Sequence, residues 1–417
     1  MSKDGEISQR IYLKDYAPPD YKISETELHL TLDRTRTRVL ARLAVQRNGE
    51  HDRPLVLHGE KLDLISLSLN GEKLNGNDWR RDDQSLTLLR SFAQGELEIE
   101  TEINPAANSE LSGLYASADT LCTQCEPEGF RRITYFLDRP DVLSVYRVTL
   151  TAVKADYPVL LANGNLIESH EDGERHTVVW DDPHPKPSYL FAVVAGRLEF
   201  LEDRFTTQSG ESVQLRVYAR SRDLSQCHYA LAALRESMVW DEKTYGREYD
   251  LSQYNIVAVE DFNMGAMENK GLNVFNTRYV LALPETATDQ DYQGVRDVIG
   301  HEYLHNWSGN RVTLRDWFQL SLKEGFTVFR EQQFSADHGS AGVKRIEDAN
   351  LVRTQQFRED AGPMAHAVRP DSFVEINNFY TLTVYIKGAE VVRMLSRLVG
   401  EQAFFKGCTR YFEQHDG

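Results

Sequence analysis

Cysteine is scarce in this chain. Four occur among 417 residues, at Cys122, Cys125, Cys227 and Cys408, too few and too scattered for a disulfide scaffold. That usage fits a reducing compartment, and a cytoplasmic location is expected. Long apolar runs are missing as well. No stretch of eighteen apolar residues occurs, so no membrane-spanning helix is expected. The first residues, Met1 to Glu6, lack the apolar stretch of a secretory signal. Positive charge is in deficit: a formal net charge of −17 repels nucleic acid and anionic membrane, and excludes both as expected partners. Neither an internal repeat nor a low-complexity tract interrupts the chain. The pair Cys122-Thr123-Gln124-Cys125 has no second pair and no suitably spaced histidine. Two buried, reduced thiols are expected there rather than half a zinc knuckle.

What is present is enough chain for two or three domains with their own cores. Residues 1–197 read as an all-β domain. Val39, Ala41, Leu43 and Val45 alternate with polar residues, as do Ile65, Leu67 and Leu69, which run into an Asn70-Gly71 turn. Leu97, Ile99, Thr101 and Ile103 form a third run; Tyr146, Val148, Leu150 and Ala152 form a fourth. Period-two alternation implies sheets with one buried and one wet face, hence an antiparallel β saddle or sandwich. Pro183-His184-Pro185-Lys186-Pro187 is expected to be a loop. Residues 198–417 change character and read as an α+β domain. Strand-like segments at Gln214 to Tyr218 and Ile256 to Val259 give way to helical faces such as Leu231, Leu234 and Met238, and Val391, Leu395 and Leu398.

The strongest chemical signal is His301-Glu302-Tyr303-Leu304-His305, followed after eighteen residues by Glu324. A random H-E-x-x-H is expected about 0.03 times in a chain of this composition. On a helix, His301 and His305 share a face and can reach one metal ion, while Glu302 stands close without being obliged to bind it. Glu324 comes from a second helix. Two imidazoles and one carboxylate leave a fourth tetrahedral position open, the catalytic zinc pattern. Asp289 or Asp291 is expected to cap the first helix, Val295, Val298 and Ile299 to form its apolar face, and Gly309-Asn310 to end it. The second helix is expected over Leu320 to Phe334, with Leu322, Phe326, Phe329 and Phe334 inward and Lys323, Arg330 and Glu331 outward. One Zn2+ ion is the implied cofactor, and the minimal chemistry is metal-assisted amide hydrolysis with Glu302 as general base. Such a reaction also needs a donor for the oxyanion, a task that suits a neutral tyrosine hydroxyl.

A second constellation stands upstream at Met264-Gly265-Ala266-Met267-Glu268-Asn269. Gly265 lets a strand run close to a ligand, and Glu268 would set a carboxylate beside it. Together with the zinc motif, this segment resembles the zinc-dependent aminopeptidases of the gluzincin type, particularly those of bacteria. The likeness extends through Leu121 to Glu126, Arg131 to Asp141, Asn377 to Thr381, and Val384-Tyr385 with Lys387 to Glu390. The resemblance implies a thermolysin-like catalytic domain behind the β domain, with His301, His305 and Glu324 on zinc. It implies Tyr385 as oxyanion donor and Glu126 and Glu268 as anchors for a substrate α-amine. Gln124 would line that pocket together with Gly265, Ala266, Met267 and Asn269, Met264 would floor it, and Asn377 would touch the substrate near zinc. It further implies peptide substrates with a free N-terminus, broad acceptance of basic and small or apolar first residues, and a monomer. Relatives of this type run to about twice this length. The catalytic domain is therefore expected to be incomplete at its C-terminal end, with absent domains that would cover the cleft. An endopeptidase, an epoxide-opening relative and a zinc-retaining binding module without turnover are the competing readings.

Overall fold

Alternating burial builds the N-terminal half of the computed structural model, which describes residues 10–417; Met1 to Glu6 therefore lie outside the described residues. Val39, Ala41, Leu43 and Val45 of strand Thr37–Arg47 are all buried, as are Leu97, Ile99, Thr101 and Ile103 of Gln94–Ile103. Both strands belong to an eight-stranded sheet. Its order is Asn165–Asp172, Arg175–Lys186, Ser144–Val153, Tyr21–Thr31, Thr37–Arg47, Gln94–Ile103, Asp63–Leu69 and Glu72–Lys73. The sheet is antiparallel except where Tyr21–Thr31 lies parallel to Ser144–Val153. A four-stranded sheet carries Gly113–Ser117 and Thr120–Gln124, and Phe130, Phe136, Tyr146 and Phe191 stack edge to face in the core nearby.

Two local expectations are corrected. Ile65 is 45% exposed while Leu67 and Leu69 are buried, because a register shift between Leu64 and Ser66 turns Ile65 to the wet face. The proline-rich segment is not a free loop, since strand Arg175–Lys186 runs through it. Pro183 and Pro185 fall between the paired positions Asp182 and Lys186, where the ladder is irregular and no backbone donor is needed. The Asn70-Gly71 turn is present, with φ of 53° and 77°.

The second half centres on a five-stranded mixed sheet, ordered Glu199–Thr206, Ser212–Ala219, Gln253–Val259, Leu272–Asn276 and Ala266–Met267. Its helices are α1 (His228–Thr244) and α2 (Asp289–Leu304), which contact the sheet, α3 (Leu320–Asp337), which packs on α2, α4 (Ala341–Leu351), the short α5 (Phe357–Asp360), α6 (Gly388–Val399) and α7 (Glu401–His415), with α4 and α6 packed on α3 and α7 on α6. Among the described residues no helix is long and apolar enough to cross a membrane.

Helix α2 is capped by Thr288, not by Asp289 or Asp291. Thr288 accepts from the Asp291 amide, and the Asp291 carboxylate accepts from the Thr288 amide. The helix ends at Leu304, before Gly309. The facing expected for α3 is reversed at four positions, beginning with Lys323 and Arg330, which are buried, and Leu322, which is 54% exposed. Arg330 tolerates burial because it pairs with Asp241 and donates to the Leu304 carbonyl and the Ser308 hydroxyl. Glu331 is largely buried as well. On α6, Val391, Leu395 and Leu398 do share a face, but that face is exposed.

A buried polar knot ties the two halves. Asp250 pairs with Lys270 and, at 2.6 Å, with Arg311, while His184 from the β half lies 3.5 Å from its carboxylate. Burial alone raises the Asp250 carboxyl, but Lys270, His184 and Arg311 outweigh it and hold it well below the usual range. Its stabilising contribution is therefore complete above the unfolded carboxyl value of about 4 and is lost as pH falls toward the folded value. Asp250→Asn is expected to destabilise the chain by about 3 kcal/mol at neutral pH. Urea unfolding across a pH series checks this: the gap between parent and variant should narrow below pH 4.

Candidate active site

Helix geometry brings the donors together. His301 and His305 are one turn apart at the end of α2, and Glu324 is one turn into α3. The helices approach closely because Gly300 has no side chain; a Cβ there would meet the Phe334 ring at 2.7 Å. The His301 and His305 Nε2 atoms are 2.9 Å apart, and Glu324 Oε2 lies 3.5 Å from the first and 3.3 Å from the second. Donors at tetrahedral corners about 2.05 Å from zinc are about 3.3 Å from one another. The triangle therefore fits a zinc ion by spacing and by donor chemistry. The His305 Nδ1–H donates to the Ser308 carbonyl at 2.8 Å, which leaves Nε2 free as a ligand atom.

Glu302 is buried beside these donors, and its Oε2 has no hydrogen-bond partner. Burial, then Glu268 and Glu324, push its carboxyl well above the ordinary range. Tyr385 sits in a single π-helical turn, Thr383–Lys387, with its ring 6.5 Å from that of His301 and nearly parallel to it. Burial and the carboxylates of Glu324 and Glu126 raise its phenol far above the usual value, so it remains a proton donor. The cleft measures about 350 Å³, and its lining includes Glu126, Met264, Gly265, Ala266, Glu268 and Tyr385 together with the donor residues. A larger hollow of about 670 Å³ beside Gly59 and Tyr135 brings together no histidine–carboxylate metal set.

Three of the sequence-predicted residues stand behind the cleft rather than in it. Gln124 is buried and donates to the Glu126 carbonyl at 3.0 Å and to the Met267 sulfur at 3.7 Å. Met267 packs in the core, and Asn269 is buried with both side-chain polar atoms unpartnered. Asn377 is a correction: it is exposed, donates to Glu375 at 2.7 Å, and does not line the cleft. The 3-10 turn Ile376–Phe379 buries Ile376 and Phe379 and turns Asn377 outward. Cys122 and Cys125 are both free and buried.

Sequence reading missed Lys323. Its ammonium pairs with Glu126 and Glu268, and lies 3.2 Å from Glu324. Burial alone would lower Lys323, but Glu126, Glu268 and Glu324 outweigh it and raise it well above the ordinary lysine value. Burial pushes Glu126 up to about 8, with Lys323 opposing and Glu268 and Glu324 reinforcing. One signal was available. Four acids converging on one cleft need a counter-charge, and Lys323 is the immediate neighbour of Glu324.

Two helices presenting three donors at zinc spacing, joined to a β domain that lends a buried carboxylate, define a metallopeptidase-like, two-domain metal site. Residues 17–190 match the Peptidase M1 N-terminal domain and residues 229–417 the Peptidase family M1 domain. The chain belongs to peptidase family M1. It is 54% identical to Aminopeptidase N of Escherichia coli over 98% of its own length and 47% of that protein. It is 53% identical to Aminopeptidase N of Caulobacter vibrioides over 99% of its length and 48% of that protein. A crystal structure of Legionella pneumophila aminopeptidase A in complex with aspartic acid superposes with a TM-score of 0.89 at 35% identity, covering 98% of this chain and 47% of that one. The chain thus spans about half the length of the relatives it matches.

Zinc at a hundredfold excess over its Kd is expected to stabilise the chain by about 2.7 kcal/mol. A chelator should reverse this, and Glu324→Gln should abolish it, as read by thermal melts. Lys323→Met removes the buried counter-charge and is expected to cost about 3 to 5 kcal/mol. Chemical denaturation of the metal-free protein measures that loss.

Proposed function

We propose that this chain carries the catalytic machinery of a zinc aminopeptidase, which hydrolyses the first peptide bond of substrates with a free α-amine. The observation that carries this reading is the pair Glu126 and Glu268, converging beside the three metal donors and already holding an ammonium, that of Lys323. An α-amine is largely cationic at neutral pH, and two carboxylates can fix both its charge and its place. An anchored amine sets a fixed reach to the metal donors, so the first peptide bond alone meets them. That geometry favours an exopeptidase over an endopeptidase.

His301, His305 and Glu324 would hold zinc, which when bound would supply Lewis acidity and lower the pKa of water to about 7. Glu302 takes a proton from the attacking water and later gives it to the leaving amine. Tyr385, neutral throughout, donates its hydroxyl proton to the developing oxyanion. Met264 provides a flexible apolar floor for the first side chain, which supports broad acceptance of basic and small or apolar residues. The aspartic acid in the Legionella relative supports a pocket for a free amino acid. We further propose a cytoplasmic monomer, with the additional domains of the longer relatives closing over the cleft. A zinc-retaining module without turnover is the second reading, and one experiment separates the two.

The test is mass spectrometry of one peptide, free or acetylated at its N-terminus, after incubation with zinc-loaded protein. Stepwise shortening of the free peptide alone is expected. Binding of the free peptide without shortening would favour the module, and cleavage of the acetylated peptide would refute the exopeptidase. Glu268→Gln should raise KM for free peptides at least tenfold, about 1.4 kcal/mol or more, with zinc content unchanged.

A further inference from the structure

The two metal-facing histidines are held differently. His305 has its Nδ1 fixed by the Ser308 carbonyl at 2.8 Å, with the Thr327 hydroxyl at 3.2 Å. His301 has no such backbone partner among the described residues; its Nδ1 faces the Glu331 carboxylate at 3.9 Å. Glu331 follows Glu324 by seven residues on α3, two turns along, so one stripe of that helix carries both a metal donor and this second carboxylate. The Glu331 carboxylate is held in turn. Lys344 of α4 lies 3.4 Å from Glu331, from Asp297 and from Asp348. Asp297 stands one turn before His301 on α2 and accepts from the Ser335 hydroxyl at 2.6 Å.

We propose that Glu331 is a positioning residue of the metal site: its carboxylate accepts the Nδ1 proton of His301 and keeps Nε2 turned toward the metal. This inference rests on the zinc reading given above. An imidazole presents one lone pair at a time, and the tautomer with hydrogen on Nδ1 is the one that leaves Nε2 able to ligate. Histidine ligands ordinarily donate their other N–H to a carboxylate or carbonyl, which orients the ring and raises its basicity. His305 uses a carbonyl, and Glu331 gives His301 the carboxylate version. The 3.9 Å separation is about 1 Å longer than a hydrogen bond, so the proposal requires the Glu331 side chain to rotate toward His301 when the metal is bound. Lys344 neutralises the acid without occupying the His301 side of it. The device is split over three helices: α2 supplies the imidazole, α3 the acceptor and α4 the cation.

The experiment measures zinc affinity by competition with a chromogenic chelator for the parent, Glu331→Gln and Glu331→Leu, with melts of each metal-free protein alongside. Glu331→Leu, close in size but without an acceptor, should weaken zinc 10- to 100-fold. Glu331→Gln, which keeps a carbonyl oxygen, should lose clearly less. In the zinc-loaded parent the His301 Nδ1 proton should appear in the downfield NMR region and move upfield in Glu331→Leu, a change that packing damage alone would not produce. Zinc affinity of Glu331→Leu within twofold of the parent would overturn the proposal. So would equal weakening in both variants with the Nδ1 proton unmoved. If Glu331→Leu does not fold, Glu331→Ala takes its place, and zinc affinity within twofold of the parent with the Nδ1 proton unshifted in that variant would overturn the proposal. A parent that binds no zinc would instead overturn the reading of the site itself.

Discussion

Lys323 stands among carboxylates that come from three separate parts of the chain. Glu126 follows the strand Thr120–Gln124 of the β half, Glu268 lies just past Ala266–Met267, and Glu324 is on α3. Without a cation between them, three buried acids would repel one another and demand protons. With it, one ammonium offsets part of that negative charge at the point where the two halves of the molecule meet. The Lys323 ammonium also lies 5.0 Å from the centre of the Tyr189 ring, another residue of the β half. Charge compensation and domain docking are thus one arrangement, and the cleft geometry depends on both.

Close helix contacts then set the precision of the metal donors. Gly300 admits the Phe334 ring against α2, and Gly325 faces the backbone of Gly388, where an added Cβ would come within 2.9 Å. The second contact matters for Tyr385, which lies three residues before Gly388 in the π-helical turn. Drawing α6 onto α3 brings the phenol and Glu324 to the same cleft without any long connecting loop. Larger residues at these glycines would separate elements whose side chains must converge to within a few ångströms.

Much of this was legible in the sequence because it follows from spacing. The i, i+4 histidines specify a shared helix face, and the strands with clean alternation bury the side chains that alternation selects, Val39 to Val45 being an example. What escaped did so for local reasons. Ile65 fits the alternation and is exposed, since one bulge reverses which side faces the core. Lys323 and Arg330 fail a hydrophobicity test and are buried, because their partners lie far away in sequence, at Glu126 and Asp241. Periodicity ranks residues by their own chemistry and carries no record of such partners. Val391, Leu395 and Leu398 show the converse: an apolar stripe marks a face, and nothing within these residues says what covers it.

The division of labour between the halves has a consequence for how the site loses its geometry. All three metal donors, Glu302 and Tyr385 lie in the second half, on α2, α3 and the turn before α6. Of the pair proposed to anchor the amine, Glu268 also lies there, and Glu126 alone is lent by the β half. A small displacement between the halves therefore leaves the metal triangle intact while separating Glu126 from Lys323 and Glu268. Lys323 would then be shared by two acids instead of three. The proposed amine site depends on domain docking, whereas the spacing of the three metal donors depends on the packing of α2 against α3. The knot of Asp250, Lys270, Arg311 and His184 lies at the same boundary, so its stability bears on the first of these functions more than on the second.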